Sequence, residues 1–478
     1  MIKKYLSHLT IIAFGLVIRL IYAIYSHDFW LDEGVNYFIA QNSLSKVLDA
    51  LSHNNWPPFY SLLMWLWQKV SFNLLWIRLP SVIFGTLTLI IIYKIAKKIF
   101  EPKLALLTLV LAIVSPPLVY FSAENRDYGL FTLLTSLMML AFLNLVQKSN
   151  IKNLIFFILS STVAILTHYF AILALISLIM ASFLSLGFKI KLKTLFGALT
   201  AISILILPWM IFTFGKEKPD CLCLGPILGS GATFAFMSLG GAGFITLKRF
   251  FEPSTPIFLK LFLTGFLAFS TLIFLFAIKF YKNPKIRFLL LCFFLPILFI
   301  FLVSFYKPLF SVRSFIFLVP IFLILTTYVL DKIDRYFKFK WLFIIYLVSS
   351  ASIISLTTQR PFFNQEPLWQ TSTLLASFPH QNTQIVHANL YTYLPSRYYY
   401  PDLNQQVLAH DLPAPLFGSL KPNLFSTFDP QKSIILVYAI DRTDNRKLQE
   451  VQRNLYNVFG QAKNDLMMGK IRILVFSK

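Results

Sequence analysis

The sequence predicts an α-helical polytopic membrane protein of about eleven transmembrane helices, closed by a small C-terminal α/β domain. Three observations carry this. The 478 residues are 57% hydrophobic and only 13% charged, against roughly 45–50% and about 25% in soluble domains. Continuous apolar runs of about 20 residues recur, the length a helix needs to cross a bilayer. Near residue 359 the composition changes: Asn, Gln, Asp and Pro appear and the apolar runs shorten. A soluble single-core protein, a fibrous chain and a disordered chain are excluded. So is a transmembrane barrel, whose strands would alternate in polarity.

The spans are expected at 5–25, 78–97, 104–121, 128–147, 153–167, 169–187, 194–214, 257–278, 288–306, 311–330 and 341–358. The first follows a basic start (MIKKYLSHLT). It is too long for a signal segment and has no clear small-residue cleavage site, so it reads as an anchor. Basic residues orient the rest, because cytoplasmic loops collect Lys and Arg. Lys3 and Lys4, then Lys94, Lys97, Lys98 and Lys103, then Lys148 and Lys152, then Lys189, Lys191 and Lys193 fall inside. Lys279, Lys282, Lys285 and Arg287 follow, and Lys332, Arg335, Lys338 and Lys340 come last. The stretch 215–256 is hardest to place. Its Gly-rich part at 225–250 reads as re-entrant or interfacial, since a full span there would invert everything after it. The net charge of +23 belongs to these loops; nucleic acid is not expected, as no soluble basic run is interleaved with stacking aromatics. Cys221, Cys223 and Cys292 form neither a disulfide framework nor a zinc spacing.

Residues 1–358 thus form a membrane domain with a long first external loop at 26–77. The turns at 122–127 and 167–169 and the segment 307–313 share its side. Residues 359–478 are expected outside as a second domain, with strands in QIVHA, SIILVYAI and IRILVFS and helices at 390–400 and 446–459. In the first loop, the Trp-rich stretch 57–68 after Pro57-Pro58 reads as a helix lying along the membrane surface.

Ionisable residues at membrane depth are functional candidates by default, and several gather on the outer face. Asp32 and Glu33 (WLDEGVNYFIA) begin an amphipathic helix; adjacent acids point in different directions, so one can take a proton while the other positions a partner. The bland alternative is a charge pair favoured by the helix dipole. Glu124, Arg126, Asp127 and Tyr128 (SAENRDYG) are dense in polar groups for a membrane boundary. Arg126 offers a fork for phosphate oxygens, against a snorkelling cluster with Tyr128 as belt residue. His168 sits between two apolar runs, where a satisfied buried polar group is the competing reading. Lys307 and Arg313 (YKPLFSVRSF) are basic on the wrong side of the charge rule, which points to an anion. Arg19 joins this set or snorkels. His53 (HNNWPPFY) is a candidate contact to substrate.

Together these groups suit one reaction. A lipid-anchored phosphate docks on external Arg and Lys, and a carboxylate removes a proton from an acceptor hydroxyl. The hydroxyl attacks a sugar carbon, and the phosphate leaves with its charge stabilised. A single displacement of this kind inverts the anomeric centre.

At these residues the sequence resembles the GT-C superfamily of glycosyltransferases. It is most similar to the bacterial members of glycosyltransferase family 39, relatives of protein O-mannosyltransferases and lipid A aminoarabinose transferases. The matching pieces are WLDEGVNYFIA, HNNWPPFYSLLMWLW, WIRLPSVIFGTLTLIIIYKIAKKIF, SAENRDYGLFTLLTSL, LTHYFAILAL and YKPLFSVRSFIFLVPIFLIL, spread over about residues 10–330. The resemblance implies a polyprenyl-phosphate-linked sugar as donor, Asp32 as the base with Glu33 assisting, and Arg126 and Arg313 near the donor phosphate. Lys307 and His168 are expected beside that phosphate, and Glu124, Asp127, Tyr128 and His53 against substrate. It further implies a multi-pass protein of the cell membrane with its site on the extracytoplasmic face. The acceptor is left open among protein, lipid and polysaccharide. The family varies in its use of a divalent metal; Glu33, Glu124 and Asp127 could hold one with water, but none is expected to be required. A transporter or flippase for lipid-linked sugars is the rival. Its signature would be paired repeats with broken helices at matching positions, which the sequence does not show.

Overall fold

The computed structural model describes residues 2–25, 28–54, 56–185, 190–216, 223–239, 256–337, 341–358, 367–379, 382–408, 431–440 and 445–477. Helices α1 (Ile2–Tyr25), α2 (Leu31–Ala40), α3 (Leu44–Ser52), α4 (Phe59–Trp67) and α5 (Leu74–Ile99) come first. Then follow α6 (Pro102–Ile113), α7 (Pro116–Tyr120), α8 (Tyr128–Gln147), α9 (Ile151–Thr167), α10 (Ala171–Ser185), α11 (Leu192–Thr213) and α12 (Pro226–Leu239). The membrane part ends with α13 (Ile257–Phe276), α14 (Pro284–Val303), α15 (Val319–Phe337) and α16 (Trp341–Thr358). Among the described residues, six helical segments are long and apolar enough to cross a membrane, and shorter apolar helices accompany them. The chain is a multi-pass membrane protein.

Each expected span from 5–25 to 341–358 overlaps a helix, with two departures that matter for the site. The run 104–121 is broken at Ser115, between α6 and α7. Pro116 and Pro117 supply no amide N–H and exclude α geometry from the residue before them, and α7 restarts with proline in its first turn. The run 311–330 begins as a 3-10 turn, Val312–Leu318, and becomes α only at Val319. Of the Gly-rich stretch 225–250, α12 has 14 residues, short of a span; residues 240–255 lie outside the described ones. The Trp-rich helix is α4. Its 9 residues give about 13 Å at 1.5 Å per residue, too short to cross.

The C-terminal unit contains α17 (Leu368–Ala376), α18 (Leu390–Tyr399), α19 (Asn445–Phe459) and a five-stranded sheet in the order β2-β1-β3-β5-β4. Its strands are β1 (Thr383–His387), β2 (Gln405–Val407), β3 (Ser433–Ala439), β4 (Asn464–Met468) and β5 (Ile471–Phe476). β1 pairs parallel with β2 and β3, and β5 pairs antiparallel with β3 and β4. Successive strand residues face opposite sides, and both sides are covered. Ile385, Ile435, Val437 and Ile473 pack with Leu368 and Leu375 of α17, whereas Val386, Leu436 and Leu474 pack with Leu448 and Leu455 of α19. That is why β1 and β3 read as continuous apolar runs. The short β2 and the half-exposed β4 lacked that signal.

α18 also turns outward. Leu390, Tyr393 and Leu394 share a core with Val35 and Ile39 of α2 and Val47 of α3. The C-terminal unit therefore sits directly on the helix that begins with the two acids.

Candidate active site

The site is assembled at the N-terminus of α2. Trp30 stands before the helix in extended conformation, φ −133° and ψ 176°, and Asp32 and Glu33 occupy the first turn. The helix dipole favours acids there, and their separation around the axis sends them to different partners.

Glu33 points inward. Its carboxylate accepts from Arg78 Nε at 2.8 Å and from Arg78 Nη2 at 2.6 Å, with both side chains fully buried. Arg78 lies in the first turns of α5 and also donates to the carbonyl of Ala23 at 2.9 Å. The same Glu33 oxygen, Oε1, accepts from the backbone N–H of Asn125 at 3.0 Å. Such a buried pair adds little net stability, but removing one partner costs about 3–5 kcal/mol. Glu33 thus holds α2, α5 and the 121–127 turn in register.

That turn is pinned from further sides. Asn36 Nδ2 donates to the Asn125 carbonyl at 3.0 Å, Tyr60 hydroxyl to Asn125 Oδ1 at 3.0 Å, and Ser81 hydroxyl to the Glu124 carbonyl at 2.6 Å. An irregular turn cannot satisfy its own backbone, so buried side chains do it. The close approach requires Gly85: a Cβ there would lie 2.7 Å from Ser122 Cβ.

Asp32 points the other way, into a partly open space. Arg313 Nη1 donates to its Oδ2 at 2.6 Å, and the two side chains are 36% and 25% exposed for Arg313 and Asp32 respectively. The residues are 281 positions apart in sequence. The Arg313 guanidinium also lies over the Trp30 ring, 5.4 Å from its centre. Arg126 is buried and lies over Trp56 at 5.0 Å and Tyr128 at 5.5 Å. Burial opposes its charge, but Asp32, Tyr128 and Asp127 outweigh burial and raise its pKa. Its Nε finds no hydrogen-bond partner among the described residues.

Glu124 is fully buried; burial pushes its carboxyl up to about 8, against the pull of Arg313. His168 stacks on Phe131 at 4.5 Å and feels the charges of Asp127 and Arg126. Burial lowers its pKa. Its Nδ1 accepts from the Phe170 N–H at 3.2 Å, so the neutral ring keeps its proton on Nε2, as a hydrogen-bond donor.

The structure thus brings together Asp32 and Arg313 by contact, with Arg126, Glu124, Asp127, Tyr128 and His168 coupled to them electrostatically or by ring contact. It does not join the other two candidates to this group. His53 Nδ1 lies 3.0 Å from the Asp49 carbonyl and 3.2 Å from the Ser52 hydroxyl, so it caps its own helix. Lys307 is solvent-exposed in the turn after α14. Arg19 is buried in α1, donating to the carbonyls of Gly15 at 3.0 Å and of Ala112 and Ile113 at 3.4 Å each; it braces the end of α6. The acids that could hold a divalent ion do not fit one: Glu33 is committed to Arg78 and Asn125, and among the described residues no group of three His, Cys, Asp or Glu converges on a metal position.

Sequence reasoning missed Arg78, Asn125, Asn36, Tyr60 and Ser81. Arg78 carried a signal, as a charge inside an apolar span (WIRLPSVIF). The uncharged residues did not.

Three comparisons bear on this arrangement. Residues 55–212 match the family model described as dolichyl-phosphate-mannose-protein mannosyltransferase. The crystal structure of ArnT from Cupriavidus metallidurans superposes with a TM-score of 0.63 at 12% identity, over 99% of this chain and 98% of that one. The same protein bound to undecaprenyl phosphate gives 0.59 at 11% identity, over 98% and 97%. The archaeal oligosaccharyltransferase AglB from Archaeoglobus fulgidus, in complex with an inhibitory peptide and a dolichol-phosphate, gives 0.51 at 10% identity, over 92% and 70%. No curated protein matches the chain. The fold is therefore the GT-C fold of these enzymes, and the GT-C resemblance drawn from the sequence is matched by family model and by architecture alike.

Proposed function

We propose that this protein is an inverting glycosyltransferase that moves a sugar from a polyprenyl-phosphate carrier to an acceptor on the extracytoplasmic face of the cell membrane. The observation that carries this is the Asp32–Arg313 pair at 2.6 Å, with Arg126 charged and buried in the field of the same carboxylate. A base and a phosphate-binding site are thereby adjacent. The relatives with this fold include one bound to undecaprenyl phosphate and one in complex with a dolichol-phosphate, which supports a carrier of that chemistry.

In this reading Asp32 accepts the proton of the acceptor hydroxyl. The oxygen attacks the anomeric carbon, and the bond from that carbon to the phosphate oxygen breaks, its electron pair leaving with the phosphate. Arg313 donates an N–H to Asp32 and orients it, and its planar fork of five donors suits a phosphate as a second acceptor. Arg126 supplies the second positive charge where negative charge develops. His168 offers a neutral Nε2–H, and Glu124, protonated near neutral pH, is itself a hydrogen-bond donor. Glu33 positions rather than reacts.

One feature supports the outer face. Arg78 marks the site end of α5, and Lys97 and Lys98 end the same helix, about 29 Å away at 1.5 Å per residue; basic ends stay cytoplasmic.

The test is mass spectrometry of envelope glycoconjugates in a strain lacking this protein, restored with the wild type or with Asp32→Asn. A sugar should vanish from one glycoconjugate, return with the wild type and stay absent with the variant, although it is made and inserted normally. An unchanged glycoconjugate profile sinks the transferase; restoration by Asp32→Asn removes Asp32 from the base role.

A further inference from the structure

The segment just before the acids, Asp28–Trp30, belongs to no helix or strand, so its backbone groups need partners from elsewhere. One comes from the membrane domain: Arg78 Nη2 reaches the Asp28 carbonyl at 3.5 Å. The Trp30 carbonyl accepts from the Gly34 N–H of α2 at 2.9 Å, and the C-terminal unit supplies further contacts. The N–H of Phe29 donates to the Tyr399 hydroxyl at 2.8 Å. The N–H of Trp369, opening α17, donates to Asp28 Oδ2 at 3.1 Å. The Tyr398 ring stacks on Phe29 with centres 4.0 Å apart and planes 18° apart, and meets Tyr37 of α2 edge-on at 5.0 Å. Its hydroxyl donates to the Phe72 carbonyl at 3.1 Å. One turn further along, α2 and α18 nearly touch: a Cβ on Gly34 would stand 2.9 Å from Leu394 Cβ.

Three of these contacts land on Asp28 and Phe29, just before Asp32. A domain that only covered a cavity would not need a hydrogen bond to the backbone of that strip.

We propose that α18 of the C-terminal unit is a positioning element for catalysis, and that Tyr398 and Tyr399 fix the strip 28–31 and thereby aim the Asp32 carboxylate. Arg78 and Glu33 hold α2 from the membrane side, and Tyr398 and Tyr399 hold it from the outside. Neither tyrosine is placed in contact with substrate; both act through Phe29. The assignment rests on Asp32 as the base.

The experiment uses the full chain carrying Tyr399→Phe or Tyr398→Leu. The first removes the acceptor of the Phe29 N–H and keeps the ring; the second removes the stack. Three quantities are read: hydrogen–deuterium exchange of peptides covering 28–40, binding of undecaprenyl phosphate, and glycoconjugate formation in the strain lacking the native protein. Exchange at 28–40 should quicken while the transmembrane peptides stay protected. Product formation should fall about tenfold, since small misplacements of a reacting group cost up to about 100-fold. Undecaprenyl phosphate binding should stay within about twofold, because Arg126 and Arg313 are untouched. Unchanged exchange in both variants overturns the proposal. So does faster exchange with full product, which would make the contact merely structural, and so does a parallel loss of lipid binding, which would mean general damage. Asp32→Asn separates the two claims: if that variant still makes product while Tyr399→Phe quickens exchange, the base assignment fails and the contact between α18 and the strip stands.

Discussion

Arg313 has two demands on its guanidinium, one from Asp32 and one from an anion. It donates to Asp32 Oδ2, and a guanidinium with five donors in a fixed fork can serve more than one acceptor. Arg313→Ala should therefore weaken donor binding and slow transfer together, by about 100-fold or more in turnover, in the range found when one stabilising donor is removed. Titration of product formation against donor concentration checks this; an unchanged curve would make Arg313 a helix anchor only. Glu124 gives a prediction of a different kind. Its folded pKa, raised by burial to about 8 from an ordinary 4.5, means the fold binds a proton that the unfolded chain has released. The contribution of Glu124 to stability is therefore fully present below about 4.5, is lost as pH rises to about 8, and then stays level. Glu124→Gln removes the titrating group. Its thermal midpoint should lose that component of the decline between pH 5 and 8, and equal slopes for variant and wild type would contradict the assignment.

At the scale of elements, the site depends on irregular joints between regular helices. The break at Ser115-Pro116-Pro117 and the turn 121–127 return the chain toward α5, and Gly85 gives the turn room. Gly85→Ala should push Ser122 away and cost about 1–3 kcal/mol through overpacking. Product formation should fall as Arg126 shifts, and Ser122→Gly added to Gly85→Ala should recover part of both. Thermal unfolding of the single and double variants measures this. If Gly85→Ala is neutral, the approach of α5 to the turn is looser than described. The 3-10 turn at Val312–Leu318 has the same function on the opposite side, since it presents Arg313 before the chain commits to α15.

At the scale of the whole molecule, one end of the bundle carries the charge cluster and the C-terminal unit, and the other carries Lys97, Lys98 and Arg335. A cysteine replacing exposed Asp402 should react with a membrane-impermeant maleimide added to intact cells, whereas one replacing exposed Lys97 should react only after lysis. Cys292 is buried and contributes little background. Reversed labelling would put the site on the cytoplasmic side.

Much of this molecule was legible without coordinates. Spans such as 128–147 and 194–214 were readable because burial in lipid demands unbroken apolar length, a one-dimensional property. Asp32, Arg126 and Arg313 stood out because charge at a membrane boundary is costly unless it is used. The resemblance ordered them. Partnership was not legible. Nothing in WLDEGV says that Glu33 turns inward to Arg78 while Asp32 turns outward to Arg313, because a difference of one position on a helix becomes a direction only once neighbouring helices are packed around it. Asn125, Tyr60 and Ser81 are uncharged and carry no signal until a turn needs its backbone satisfied. His53 looked like Asp32 in type and position, yet its ring folds onto its own helix. The sequence by itself determined the membrane class, the helix positions and the candidate charges, since these follow from local hydropathy and the cost of desolvation. Only the tertiary structure decided which charges meet and which element holds them, since hydrogen bonds between residues 281 or 370 positions apart exist only after the chain has closed.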